Sequence, residues 1–228
     1  MQTRAIHLFV FDTMADWEVA FAVAGIQNPQ YQLAPGRFRV VTVAANREPI
    51  TTAGGVRILP DTTLDEITPS QSGMLILPGG ELWERGGNSE AIAKTREFIA
   101  ACVPVAAICA ATLALARAGL LDNRFHTSNA REYLAASRYR GGRFYREVPA
   151  ISDQGVITAS GVAPIEFARE IFQALGLYGS CMLDAWFALF KYGDAAQFFE
   201  LAKYTNLPTA QPMRSGFTES PFPKEIYS

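Results

Sequence analysis

The stretch Pro104-Val105-Ala106-Ala107-Ile108-Cys109-Ala110-Ala111-Thr112-Leu113 constrains this chain more than any other. Small and apolar residues run into a single cysteine, and alanines and leucines of helical character follow at once. A continuous apolar run suits a strand covered on both faces. The stretch therefore reads as a buried strand, an abrupt turn and a helix, with Cys109 at the turn. A sulfur placed there lies near a helix N-terminus, where unpaired N–H groups and the macrodipole favour a thiolate. Ala106, Ala107, Ala110 and Ala111 suit a tight elbow, because bulky neighbours would clash with the adjoining backbone.

The same logic organises the rest of the chain. Residues 5–11, 38–44, 74–77 and 156–159 read as strands, and 143–148 is strand-like. Residues 50–52 and 56–59, joined by Ala53-Gly54-Gly55, read as a small hairpin. Helical patterns cover 16–24 with Asp16 as cap, 89–101 with Ser89 as cap, and the segment after Cys109, which Gly119 stops. Residues 130–136 suggest a short helix, and 165–172 an amphipathic one with Pro164 in its first turn. Strands alternating with helices imply crossover units. The expected fold is α/β, a three-layer sandwich with a mostly parallel sheet and helices on both faces.

Residues 1–176 are expected to form one such domain. Residues 177–228 are expected to form a helical extension and tail, packed on the same domain or on a dimer partner. Helices at 182–191 and 195–204 are rich in aromatic residues, and 207–228 holds four prolines and reads as an extended tail.

Composition narrows the function. A net charge of −2 speaks against nucleic acid as a partner. No apolar stretch is long enough to span a bilayer, and no signal peptide is visible, so no membrane association is expected. Three cysteines, an odd number without metal-type spacing, argue for a reducing compartment and a cytoplasmic protein. There is no P-loop, no G-x-G-x-x-G after a strand and no H-E-x-x-H, so neither a metal nor a cofactor is expected.

In an open parallel sheet, ligands bind beyond the carboxyl ends of the strands. Glu18, the pair Gly79-Gly80, and Cys109 all fall at such ends, and His126 lies in the irregular stretch beyond the following helix. Cys109 is either a nucleophile on an elbow or a buried structural cysteine. Of two histidines, His7 sits inside an apolar strand and reads as structural. His126 is then the one credible base for Cys109, or else a solvated loop residue. Glu18 is either ordinary compensation of a helix dipole or a carboxyl bonded to the sulfur. In the second role it has to be buried with a raised pKa. Gly79 and Gly80 form a simple turn, or with the N–H of Ala110 they hold a developing oxyanion. Cys102 and Cys181 read as structural.

Val105-Ala106-Ala107-Ile108-Cys109-Ala110, preceded by Leu77-Pro78-Gly79-Gly80 and followed by His126, resembles the ThiJ/PfpI superfamily. The resemblance covers roughly residues 4–176 and implies the flavodoxin-like fold of class I glutamine amidotransferases. Asp16-Trp17-Glu18 and Ala163-Pro164-Ile165-Glu166-Phe167 are similar to a bacterial subgroup of amidases or proteases. By this resemblance Cys109 is the nucleophile, Glu18 the carboxyl contacting it and His126 the histidine nearby. Gly80 and Ala110 become the oxyanion donors, and the chain is expected to form a homodimer.

Ala110 stands where the peptidase branch has histidine, and Ala111 where many relatives have glycine. The first departure points away from a protease with a cysteine–histidine dyad, and the second implies a tighter pocket. The expected function is a cysteine-dependent hydrolase or lyase acting on a small amide or reactive carbonyl, amidase-, glyoxalase- or deglycase-like. Two alternatives use the same residues: an oxidative-stress sensor working through Cys109, and a binding domain without chemistry.

Overall fold

The computed structural model describes residues 3–203. In chain order the elements are β1 (Arg4–Phe9), α1 (Asp16–Gln27), β2 (Phe38–Ala44), β3 (Ile50–Thr51), β4 (Arg57–Ile58), β5 (Thr62–Thr63) and β6 (Ser72–Leu77). There follow α2 (Glu81–Glu84), α3 (Ser89–Ala100), β7 (Val105–Ile108), α4 (Ala110–Arg117), α5 (Arg131–Ala135), β8 (Ala150–Asp153) and β9 (Val156–Ala159). The last are α6 (Pro164–Leu175), α7 (Ser180–Tyr192) and α8 (Ala195–Ala202). The tail expected at 207–228 lies outside the described residues.

Seven strands form one sheet in the order β5-β2-β1-β6-β7-β9-β8. All pair in parallel except β8, which runs antiparallel to β9. The expected mostly parallel α/β sheet is therefore present, with β3 and β4 as a separate antiparallel hairpin. Its central strands β6 and β7 are buried along their whole length, which is why they lack a polar alternation. Helices α1 and α6 pack together on one face. On the other face Trp83 of α2 meets Phe9, and Phe98 of α3 meets the His7 ring.

Three local expectations are corrected. The strand expected at 143–148 is a single 3-10 turn, Gly142–Phe144, and the edge strand forms at β8 instead. Asp16 does not cap α1: it is the first helical residue, and its carboxylate accepts from Gly54 N–H at 2.7 Å, tying the hairpin to the helix. Ser89 likewise opens α3 as its first residue, after Asn88 in a left-handed conformation. In each of the two helices the cap, Ala15 or Asn88, lies one position before the expected polar residue.

Helix α7 sets one of its aromatic residues firmly on this frame, while Phe198 and Phe199 of α8 stay exposed. Trp186 of α7 packs against Phe21 of α1 and Phe172 of α6. Ion pairs Arg169–Asp184 and Lys191–Glu166, both at 2.7 Å, join α6 to α7. Beneath them, α1 approaches α6 so closely that a Cβ on Gly25 would overlap the Phe172 ring and crowd the Tyr178 hydroxyl. An alanine gains about 0.5–1 kcal/mol inside a helix, but overpacking a dense contact costs about 1–3 kcal/mol. Gly25→Ala is therefore expected to lower the urea midpoint with no change in m-value. A midpoint at or above wild type would show that the α1–α6 contact is looser than described.

Candidate functional site

Cys109 is the residue between β7 and α4, and its backbone is left-handed, with φ 57° and ψ −126°. A non-glycine residue in this region is strained by on the order of 1–3 kcal/mol. Two clamps hold it. Its N–H donates to Ala159 O at 3.0 Å, and its carbonyl accepts from the Thr112 N–H at 3.0 Å and the Thr112 hydroxyl at 2.6 Å. The elbow read from the sequence is thus present, and it lifts the side chain beyond the carboxyl ends of the sheet.

Glu18 reaches the sulfur from the first turn of α1. It is 1% exposed, so its carboxyl is cut off from water. Its Oε2 accepts from Gly79 N–H at 2.6 Å, and the carboxyl is hydrogen-bonded to the Cys109 thiol. Burial raises the Glu18 pKa, against the lowering effect of those two bonds. For Cys109, burial first and the charge of Glu18 second push the thiol up to about 11, while the Asn129 amide and the Ala110 N–H pull the other way. The thiolate expected from the helix terminus is corrected on this point: desolvation and a neighbouring carboxylate outweigh the terminus. Carboxyl and thiol resist carrying two charges, so they titrate as a pair sharing one proton.

Two glycines let the pair approach. A Cβ on Gly79 would stand 2.7 Å from both Cys109 Cβ and Glu18 Oε2. A Cβ on Gly161 would stand 2.8 Å from the sulfur. Asn129 completes the ring: its Nδ2 donates to Cys109 Sγ at 3.3 Å and its Oδ1 accepts from Gly161 N–H at 2.8 Å.

His126 is not bonded to the sulfur. The ring is fully buried, and its Nδ1 lies 2.8 Å from Arg124 O, an acceptor only, so Nδ1 carries the proton. Burial lowers its pKa, the ring is neutral, and Nε2 then accepts from the Tyr139 hydroxyl at 3.0 Å. Neither a free lone pair nor a free proton is left for Cys109. The expected base is corrected to a residue that fixes its loop. The His126 N–H donates to Phe144 O and its carbonyl accepts from Arg146 N–H. Two residues on, Ser128 donates to Thr112, whose own proton is already given to Cys109 O. That chain of bonds delivers Asn129 to the sulfur.

The expected oxyanion donors also divide. Gly79 N–H is committed to Glu18 and is withdrawn from that role. Ala110 N–H bonds the sulfur, where it can follow charge as it moves to a bound substrate. Gly80, with φ 158°, turns the chain into α2, and a Cβ there would press on the Phe11 ring and Thr13 O.

Asn129 and Gly161 were missed in the sequence, although each carried a signal. Asn129 ends the polar loop that holds His126, and Gly161 follows the last parallel strand, where the rule that selected Gly79 and Gly80 applies equally. Asn129 also lines a cleft of about 350 Å³, together with Ser128, Ser160, Val162, Glu166 and Lys191; Cys109 and Glu18 are not in its wall. The volume is in the size range of small-molecule sites. No group of side chains suited to holding a metal occurs among the described residues.

Comparison with known proteins identifies the relatives of this chain. The family model described as the DJ-1/PfpI family matches residues 4–174. A Bacillus subtilis protein named "Uncharacterized protease YoaZ" is 40% identical over 209 residues, 90% of this chain and 100% of that protein. "Protein/nucleic acid deglycase 2" of Escherichia coli is 31% identical over 126 residues, 54% of this chain and 72% of that one. The crystal structure of a thiJ/pfpI family protein from Bacillus anthracis superposes with a TM-score of 0.83 at 42% identity, covering 90% of this chain and 99% of that one.

The shared proton gives a test of the site. Alkylation of Cys109 by iodoacetamide should rise in two steps with pH: one as the pair loses its first proton, and a second toward about 11 as it loses the last. In Glu18→Gln the second negative charge never forms, so a single step below the upper wild-type step is expected. Peptide mass spectrometry separates Cys109 from the exposed Cys102 and Cys181. Identical single-step profiles in both proteins would rule out the coupling.

Proposed function

Because the chain belongs to the DJ-1/PfpI family, we propose that it is a cysteine-dependent enzyme acting on a small reactive carbonyl compound or amide. The observation that carries this reading is the buried Glu18 carboxyl hydrogen-bonded to the Cys109 thiol. A carboxylate whose pKa is raised is a stronger base than an exposed one, and it stands where the thiol proton must go. As the substrate carbonyl meets the sulfur, that proton passes to Glu18, a C–S bond forms, and the π pair of the carbonyl moves to its oxygen. The N–H groups of Gly80 and Ala110 receive the developing oxyanion. Glu18 then returns the proton to that oxygen, giving a hemithioacetal from an aldehyde or a tetrahedral adduct from an amide.

Asn129, which bonds the sulfur, also lines a cleft of about 350 Å³, a volume that suits a small molecule rather than a folded protein. The role suits relatives named as deglycases better than a peptidase built on a cysteine–histidine dyad, since both His126 nitrogens are committed elsewhere. As in the wider family, a homodimer in the cytoplasm is the proposed working form.

Turnover of methylglyoxal, glycated amines and small amides should be screened with wild type, Cys109→Ala and Glu18→Gln. Cys109→Ala is expected to fall to background, and Glu18→Gln to lose about 10²-fold in kcat/KM, the usual contribution of one acid–base group. Retained activity in Cys109→Ala would overturn the proposal. So would a protein inert to every substrate whose one reaction is peroxide-dependent oxygen addition at Cys109, since that is the behaviour of a sensor.

A further inference from the structure

One polar group near the sulfur has no part in the chemistry described so far. Helix α2 begins at Glu81, directly after Gly80, and α5 begins at Arg131, shortly after Asn129. Both pack on α4, whose first residue follows Cys109. The Gly79 backbone stands against Cys109 Cβ, and Asn129 Nδ2 is on the sulfur, so α2 and α5 leave the site as neighbouring walls. One side chain joins them. Tyr133, in the middle of α5, reaches across to α2, and its hydroxyl donates to Glu84 Oε1 at 2.9 Å.

Tyr133 is half-buried. Burial first, then the bond and charge of Glu84, then the charge of Cys109 push the phenol above its ordinary range, so the hydroxyl keeps its proton. The phenol therefore stands within electrostatic reach of the sulfur. Arg117 of α4 fixes the far side of the bond: it donates to the Trp83 and Glu84 carbonyls at 2.8 Å and 3.2 Å.

The direction of the Tyr133 bond decides what its oxygen can offer. A phenol has one proton and two lone pairs. The proton is spent on Glu84, and the oxygen has no other hydrogen bond among the described residues. It is left as an acceptor. The other acceptors at the site are engaged: Asn129 Oδ1 by Gly161 N–H, and the Glu18 carboxyl by Gly79 N–H and the thiol. Ala110 and Gly80 present N–H groups suited to a carbonyl oxygen. Tyr133 Oη then faces whatever the substrate carries beside that carbonyl. A keto or alkoxy oxygen sets lone pairs against lone pairs, whereas a hydroxyl or amide N–H is satisfied. A site built to pair with a donor rejects the analogue that lacks one.

We propose that Tyr133 is a specificity residue of the Cys109 site, selecting carbonyl compounds that carry an O–H or N–H donor beside the carbonyl. Alpha-hydroxy aldehydes and amides meet this requirement; α-dicarbonyls and alkoxy analogues of the same size do not. The assignment rests on the reading of Cys109 as the attacking group and adds the class of substrate to it.

Probes that differ in one donor test it on the sulfur alone. N-methyl iodoacetamide carries an N–H where methyl iodoacetate carries an oxygen, and each alkylates a thiol with loss of iodide. Rates at Cys109, divided by those at the exposed Cys102 of the same sample, cancel the intrinsic reactivity of the probes. In wild type the normalised rate is expected to be about three- to tenfold higher for the amide, the range of one neutral hydrogen bond. In Tyr133→Phe the two probes should become equal. Glu84→Ala, which frees the phenol proton, should narrow the gap as well, and it serves if Tyr133→Phe does not fold. Turnover of glycolaldehyde against methoxyacetaldehyde should show the same preference in kcat/KM, again lost in Tyr133→Phe. Equal normalised rates in wild type, or a preference that survives both substitutions, would overturn the proposal. A probe preference that depends on Tyr133, in a protein that turns over neither aldehyde, would support the role of Tyr133 and count against the catalytic reading of Cys109.

Discussion

A carboxyl group and a thiol held out of water against one another set the terms for everything around them. Removing a charge from water costs several kcal/mol unless partners replace the lost hydration. The fold supplies such partners to each side. Gly79 N–H serves Glu18, while Asn129 and Ala110 N–H serve the sulfur. With those donors in place the pair carries one negative charge comfortably and a second only at high pH. A proton that moves within such a pair need not be exchanged with solvent.

The same interaction explains the local backbone. A sulfur this close to a carboxyl needs bare glycine surfaces at Gly79 and Gly161 and a left-handed residue at Cys109. Strain at one residue persists because hydrogen bonds on both sides over-determine it. His126 belongs to this supporting structure. Between the Tyr139 and Tyr145 rings it anchors the loop whose last residue touches the sulfur.

The parallel sheet, its crossover connections and the elbow were legible because each rests on a local pattern: the apolar runs at β1, β6 and β7, and small residues on both sides of Cys109. Glu18 was legible by position, since the first turn after β1 must lie at the rim. The bonding of His126 was not. A loop histidine looks the same in sequence whether its ring meets a sulfur or a tyrosine thirteen residues later, and only the folded loop decides. The thiol's protonation was illegible for a related reason: the helix terminus is written locally, whereas burial and the facing carboxyl arise from distant segments. The edge strand was misplaced by a few residues because 143–148 and β8 both carry apolar residues, and pairing with β9 chose between them.

The residues around the sulfur come from the beginning, middle and end of the sheet: Glu18, Gly79, Cys109, Asn129 and Gly161. Contacts so far apart along the chain form late, after the costly closure of long loops. No hairpin or helix pair of this protein, folded alone, brings more than a fraction of them together. An emerging or partly unfolded chain therefore bears an ordinary cysteine, and the carboxyl–thiol pair with its shared proton exists only once the last parallel strand has docked. Maturation of the fold and assembly of that pair are one event.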